Sequence, residues 1–141
     1  MARQLQIAID CAEPDRLAGF WAAALGYVPE PPPAGHASWA EFSRAVGDRS
    51  EAWSALVDPD GFGPRLLFHR VPEPKVAKNR MHLDVLTGGP RGTPKEHRRA
   101  LVAAEVARLT ERGARHLQTV DDEADHFAVL QDPEGNEFCV C

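Results

Sequence analysis

The chain lacks any apolar run long enough to cross a bilayer. Its first ten residues, MARQLQIAID, show none of the block order of a secretory leader. These absences lead to the expectation of a cytoplasmic protein with no membrane partner. A basic stripe is missing too: 16 Lys and Arg against 21 Asp and Glu leave a net charge of −5, so no nucleic-acid partner is expected. The one basic cluster, PKVAKNR, is short and reads as a local anion contact or a solvated turn. Cysteine is scarce. Three residues, an odd number without framework spacing, point to a reducing compartment. Cys139 and Cys141 fall on one face of a strand, about 6–7 Å apart by the strand rise, and are poorly placed to bridge each other. What is present is 141 residues, 43% apolar and 26% charged, enough for one compact domain with a real core.

The chain reads as one module written twice. Residues 5–11, LQIAIDC, alternate at the period of a half-buried strand. Helical spacing then takes over, with Leu17, Phe20, Trp21, Ala24 and Leu25 forming one apolar stripe. Pro14 suits the first turn of that helix and Gly26 its stop. A proline-rich loop follows. Strands are expected around residues 39–45 and 53–57, and again in RLLFHRV after the turn DPDG. The linker is placed at 73–79, between module one (1–72) and module two (80–141). The second module opens with the strand RMHLDVL. Its helix is expected to start on a capping box of Thr93, Pro94 and Glu96 and to end near Arg112, before Gly113. RHLQTV, HFAVLQ and EFCVC complete it, with DPEG standing where DPDG stood, 74 residues earlier. The fold class is therefore α+β, as two βαβββ modules forming a cupped, mostly antiparallel sheet with helices on the outer face.

Strand parity divides the side chains between helix and cavity. Ile7, Ile9, Leu66, Phe68, Met81, Leu83, Val85, Phe138 and Val140 are expected beneath the helices. Gln6, His69, His82, Asp84 and Cys139 take the opposite parity and are expected to face a cavity. Asp84 can orient the His82 ring or act as a base, or else meet a basic residue. Arg80 can hold an anionic group by bidentate hydrogen bonds, or pair with Asp84 or Glu73. Trp39 and Trp53 either line the pocket or seal the core.

On FWAAALGY, HLDV and DPEGNEFCV the chain resembles the vicinal oxygen chelate superfamily, the group of glyoxalase I, bleomycin-resistance proteins and extradiol dioxygenases, and within it the glyoxalase-like domains. The resemblance implies a metal site with one ligand from each of four strands, at Gln6, His69, His82 and Cys139. Glutamate normally stands at the second and fourth of these places. Its absence disfavours metallo-glyoxalase isomerisation, which needs a carboxylate to move a substrate proton, and extradiol chemistry, which needs two His and a carboxylate on iron. Two His and a thiolate remain chemically suited to zinc. The expectation is nevertheless an empty metal position and no cofactor, with Cys139 a neutral thiol.

The resulting reading is a protein that binds a small organic molecule. It is either an enzyme of lyase or isomerase type using His82, His69 or Asp84 as acid or base, with Gln6, Trp39, Trp53 and Arg80 contacting the ligand, or a non-catalytic sequestering protein. The resemblance further implies a homodimer.

Overall fold

The computed structural model describes residues 4–47, 53–123 and 125–141. The start of the N-terminal stretch searched for a leader, residues 1–3, lies outside them. The chain divides into two compact units, Met1–Pro74 and Lys75–Cys141. Each builds its own four-stranded sheet, and three helices accompany them, an α+β architecture. No helix among the described residues is long and apolar enough to cross a membrane.

The first unit runs β1 (Gln6–Cys11), α1 (Pro14–Leu25), β2 (Val28–Pro29), α2 (Trp39–Ala45), β3 (Trp53–Val57) and β4 (Arg65–Arg70). Its sheet order is β1-β4-β3-β2, with β1 and β4 parallel and the other pairs antiparallel. Pro14 opens α1, where a missing N–H costs nothing, and Gly26 closes it at φ 73°, a conformation that a Cβ would strain. The apolar stripe of α1 packs on β3 and β4: Leu17, Trp21, Leu66 and Phe68 are all at most 2% exposed. Each such side chain contributes about 1.5–3 kcal/mol by leaving water. The alternation of β1 holds, with Cys11 buried and Gln6, Ala8 and Asp10 exposed.

One expected strand is a helix. Residues Trp39–Ala45 form α2, because Ser38 caps it by accepting from the Glu41 N–H at 3.1 Å while the Glu41 carboxylate accepts from the Ala37 N–H at 2.8 Å. This Ser-x-x-Glu box satisfies helix-end donors that a strand would have to place elsewhere. The sheet edge beside β3 is formed by β2.

The second unit runs β5 (Asp84–Val85), α3 (Lys95–Glu111), β6 (Arg115–Asp121), β7 (His126–Gln131) and β8 (Glu137–Val140), in the sheet order β5-β8-β7-β6. β5 is shorter than the expected strand over RMHLDVL. Asn79 turns its amide onto the Met81 carbonyl, and Met81 is 88% exposed instead of packing under a helix. The capping box of α3 also differs. The Thr93 hydroxyl donates back to the Pro90 carbonyl at 2.7 Å, Pro94 takes the cap position, and Glu96 pairs with Arg99. Pro94 has no N–H for a reciprocal cap to satisfy, so the box has nothing to close on. α3 packs on β7, burying Val102 and Leu109 against the side that carries Ala128 and Leu130.

The repeated turns have one shared construction. Asp58 accepts from the N–H groups of Asp60, Phe62 and Gly63, and Asp132 from those of Glu134 and Asn136. Gly61 and Gly135 adopt φ of 76° and 83°. The backbone donors hold the Asp58 carboxyl below the usual carboxylate range. Asp132 is the more buried of the two, at 4% exposure, and the Asn136 amide also donates to it. Asp132→Ala leaves those donors unmatched, so a loss of about 2 kcal/mol is expected. The measurement is the urea midpoint at unchanged m-value, with a smaller fall for Asp58→Ala.

Candidate functional site

The parallel pairing of β5 with β8 sets Asp84 opposite Cys139 and Val85 opposite Val140. The Cys139 N–H donates to the Leu83 carbonyl at 2.9 Å, and the Cys141 N–H to the Val85 carbonyl at 3.0 Å. Side chains alternate along β8, so Phe138 and Val140 are buried while Cys139 is half-buried on the other face. His82 precedes Asp84 by two residues and donates from Nδ1 to the Asp84 carboxylate at 3.1 Å. The result is one nitrogen, one oxygen and one sulfur, from His82, Asp84 and Cys139, all within 4.8 Å of one another.

These groups border a cavity of about 580 Å³ contained in the second unit. Phe127 and Val129 of β7 line it because their neighbours Ala128 and Leu130 pack toward α3, and Val129 lies directly across from Cys139. Leu117 extends the apolar wall; Lys78, Glu137, Gln118, Asp125 and Cys141 complete the polar one. Lys78 donates to Glu137 and holds its carboxyl below the usual range. Burial pushes the Cys139 thiol up, and the Asp84 charge adds to the shift by opposing a second negative group. Cys141 is pushed up by the same two causes in the same order. Both are neutral thiols at neutral pH. Among the described residues, then, the cavity has an acid–base pair at one wall and a protonated thiol beside it.

Gln6, His69, Trp39 and Trp53 belong to the first unit. The Gln6 side-chain oxygen accepts from Arg65, whose guanidinium is also bidentate to Glu30. Trp39 and Trp53 meet edge to face at 4.7 Å, with Arg65 5.9 Å from the Trp53 ring and the Trp39 indole N–H donating to the Glu30 carbonyl. His69 is exposed, opposite Asp10 on β1 and Trp53 on β3. Arg80 is exposed, forms no ion pair with Asp84, and does not line the cavity. Lys78, Glu137 and Phe127 do line it and were not singled out from the sequence. Phe127 was legible from the alternation of HFAVLQ; Lys78 carried no signal beyond its place in a basic turn.

As for a metal, Gln6 is a poor partner here, since its donor oxygen already faces a guanidinium that repels a cation. His82, Asp84 and Cys139 fit better: imidazole, carboxylate and thiolate are a donor set that zinc accepts.

The model of the glyoxalase-like domain family matches residues 6–141. Solved structures with a similar fold include a glyoxalase/bleomycin resistance protein/dioxygenase family enzyme from Burkholderia phytofirmans PsJN. It is 17% identical with a TM-score of 0.60, over 96% of this chain and 94% of that one. The fosfomycin resistance protein FosX from Mesorhizobium loti is 9% identical, with a TM-score of 0.62 over 99% and 91%. A mutant of FosX from Listeria monocytogenes, complexed with Mn(II) and 1S,2S-dihydroxypropylphosphonic acid, is 8% identical, with a TM-score of 0.63 over 99% and 90%. At these identities the likeness is one of fold. No curated protein matches the chain in sequence.

Because the thiols are held protonated, alkylation of Cys139 and Cys141 by iodoacetamide is expected to be slow at neutral pH. The rate should still be rising above about pH 9, beyond the ordinary thiol range. Asp84→Asn removes a charge that opposes the thiolate, so its profile shifts to lower pH and both sites label faster. Cys11, 4% exposed, stays unlabelled in the folded chain. Site-resolved mass spectrometry reads all three.

Proposed function

The chain belongs to the glyoxalase-like domain family, and from that premise we propose that it binds a small organic molecule in the cavity of its second unit and acts on it as a lyase or isomerase. The observation that carries this reading is the His82–Asp84 hydrogen bond at the wall of that cavity. Asp84 accepts from Nδ1, which fixes the tautomer and leaves Nε2 free to take a proton. Cys139, held neutral, supplies a hydrogen-bond donor to the same ligand. Phe127, Val129 and Leu117 cover its apolar body. The family's metal, when bound, supplies Lewis-acid stabilisation of developing negative charge; His82, Asp84 and Cys139 are the residues suited to hold it.

The sequestering alternative finds support in the apolar wall, which offers affinity independent of any proton transfer. A homodimer working in the cytoplasm is part of the proposal. Its support is that β1, β2, β5 and β6 stand at the edges of their own sheets, the positions through which chains commonly pair.

The test is a screen of small metabolites by amide NMR shifts at Phe127, Val129 and Cys139, followed by turnover of the molecules that bind. For such a molecule, His82→Ala is expected to lower kcat by about 10²–10⁴-fold while binding changes little. Binding without conversion, indifferent to His82, selects the sequestering alternative. Methylglyoxal–glutathione hemithioacetal is expected not to turn over with zinc, nickel or cobalt added, since neither the His69 nor the Cys139 position carries a glutamate; metal-dependent turnover would overturn that exclusion.

A further inference from the structure

We infer that Gln118 positions the ligand of the second-unit cavity, and that this ligand is elongated, with a hydrogen-bonding group at each end of an apolar stem. The inference rests on the cavity reading above and names the class of molecule the cavity takes. Sheet register carries it. Asp84 pairs with Cys139, Cys139 with Val129 and Val129 with Gln118, so one row of residues crosses all four strands of the sheet. Register partners share a face, and all four of these residues line the cavity. Along the row the groups are carboxylate, thiol, isopropyl and carboxamide: polar at both ends and apolar between. Phe127 and Leu117 widen the apolar middle. Neighbouring strands are about 4.8 Å apart, so Cys139 and Gln118, two strands apart, stand about 10 Å from each other.

A β-bulge puts Gln118 in this place. The pairing of β6 with β7 slips between His116 and Gln118, leaving Leu117 without a partner of its own. Strict alternation lets only one of two consecutive side chains face the cavity; with the bulge, Leu117 and Gln118 both line it. The residue re-aimed is an unengaged amide, for among the described residues the Gln118 side chain has no hydrogen-bond partner. A carboxamide both donates and accepts, so Gln118 matches an amide or carbonyl group at the far end of the ligand. At the near end the Cys139 thiol donates and the Asp84 carboxylate accepts.

The test uses the full chain and three defined probes. Suberamide spans that distance when extended, succinamide falls short of it, and octanamide has the length but only one polar end. Affinities are read from amide NMR shifts at Phe127, Val129 and Gln118. Gln118→Ala is expected to weaken suberamide by about five- to tenfold, the worth of one neutral hydrogen bond, while changing succinamide and octanamide by less than about twofold. The urea midpoint stays where it was, because Gln118 is exposed. Thr119→Ala, at the opposite parity of β6, alters none of the three affinities. The inference is overturned if Gln118→Ala weakens all three probes alike, if it weakens none, or if suberamide leaves the Gln118 resonance unmoved. Failure of the cavity reading looks different: no molecule of the metabolite screen shifts Phe127 or Val129, whichever residue stands at position 118.

Discussion

Each unit depends on a parallel pairing between the strand that opens it and the strand that closes it. β1 lies beside β4 and β5 beside β8, and parallel neighbours cannot be joined by a tight turn. The intervening chain must cross over, and in both units it does so through a helix, α1 or α3, that packs on the sheet. The apolar stripes of those helices and the buried parity of the strands therefore form one constraint. Leu17 and Trp21 have Leu66 and Phe68 beneath them; Val102 and Leu109 have Ala128 and Leu130. With that parity taken by the core, the opposite parity is left for chemistry.

In the second unit this remainder is concentrated. β5 contributes only two residues to the sheet, yet the ladder holds Asp84 against Cys139, and His82 lies just upstream of the paired segment. A short strand is sufficient because the Cys141 carbonyl also accepts from the Thr87 and Gly88 N–H groups, closing the backbone bonds where the strand ends. The first unit spends the corresponding side chains differently. Arg65 takes up Gln6 and Glu30 and lies beside Trp53, so the polar face there is a closed network of ion pair and aromatic contacts. Two modules alike in turn and sheet order have thus diverged in what their exposed parity does.

Electrostatics follow the same division. Surface pairs such as Arg16–Glu13 and Arg99–Glu96 decorate helices and contribute little to stability. Around the cavity the charges act on one another instead. Lys78 answers Glu137, His82 answers Asp84, and burial, reinforced by the carboxylate of Asp84, keeps the neighbouring thiols protonated.

The sequence by itself determined the family, the α+β class, the repeated turns and the helix stripes. These are local: a 3.6-residue period, a two-residue alternation or an Asp-Pro-x-Gly turn is written into neighbouring residues. Parity alone also put His82, Asp84 and Cys139 on one side of their strands. Where local signals competed, the reading failed. Residues Trp39–Ala45 were expected as a strand, but the Ser38–Glu41 box closes a helix, and Pro94 displaced the cap expected at Thr93. Only the tertiary structure decided which partner each polar group finds. That Arg65 holds Gln6, that Lys78 reaches Glu137 across 59 residues of chain, and that Asp84 stands in register with Cys139 depend on strand order and stagger. Those are fixed by packing between segments far apart in sequence, and no periodicity along the chain encodes them.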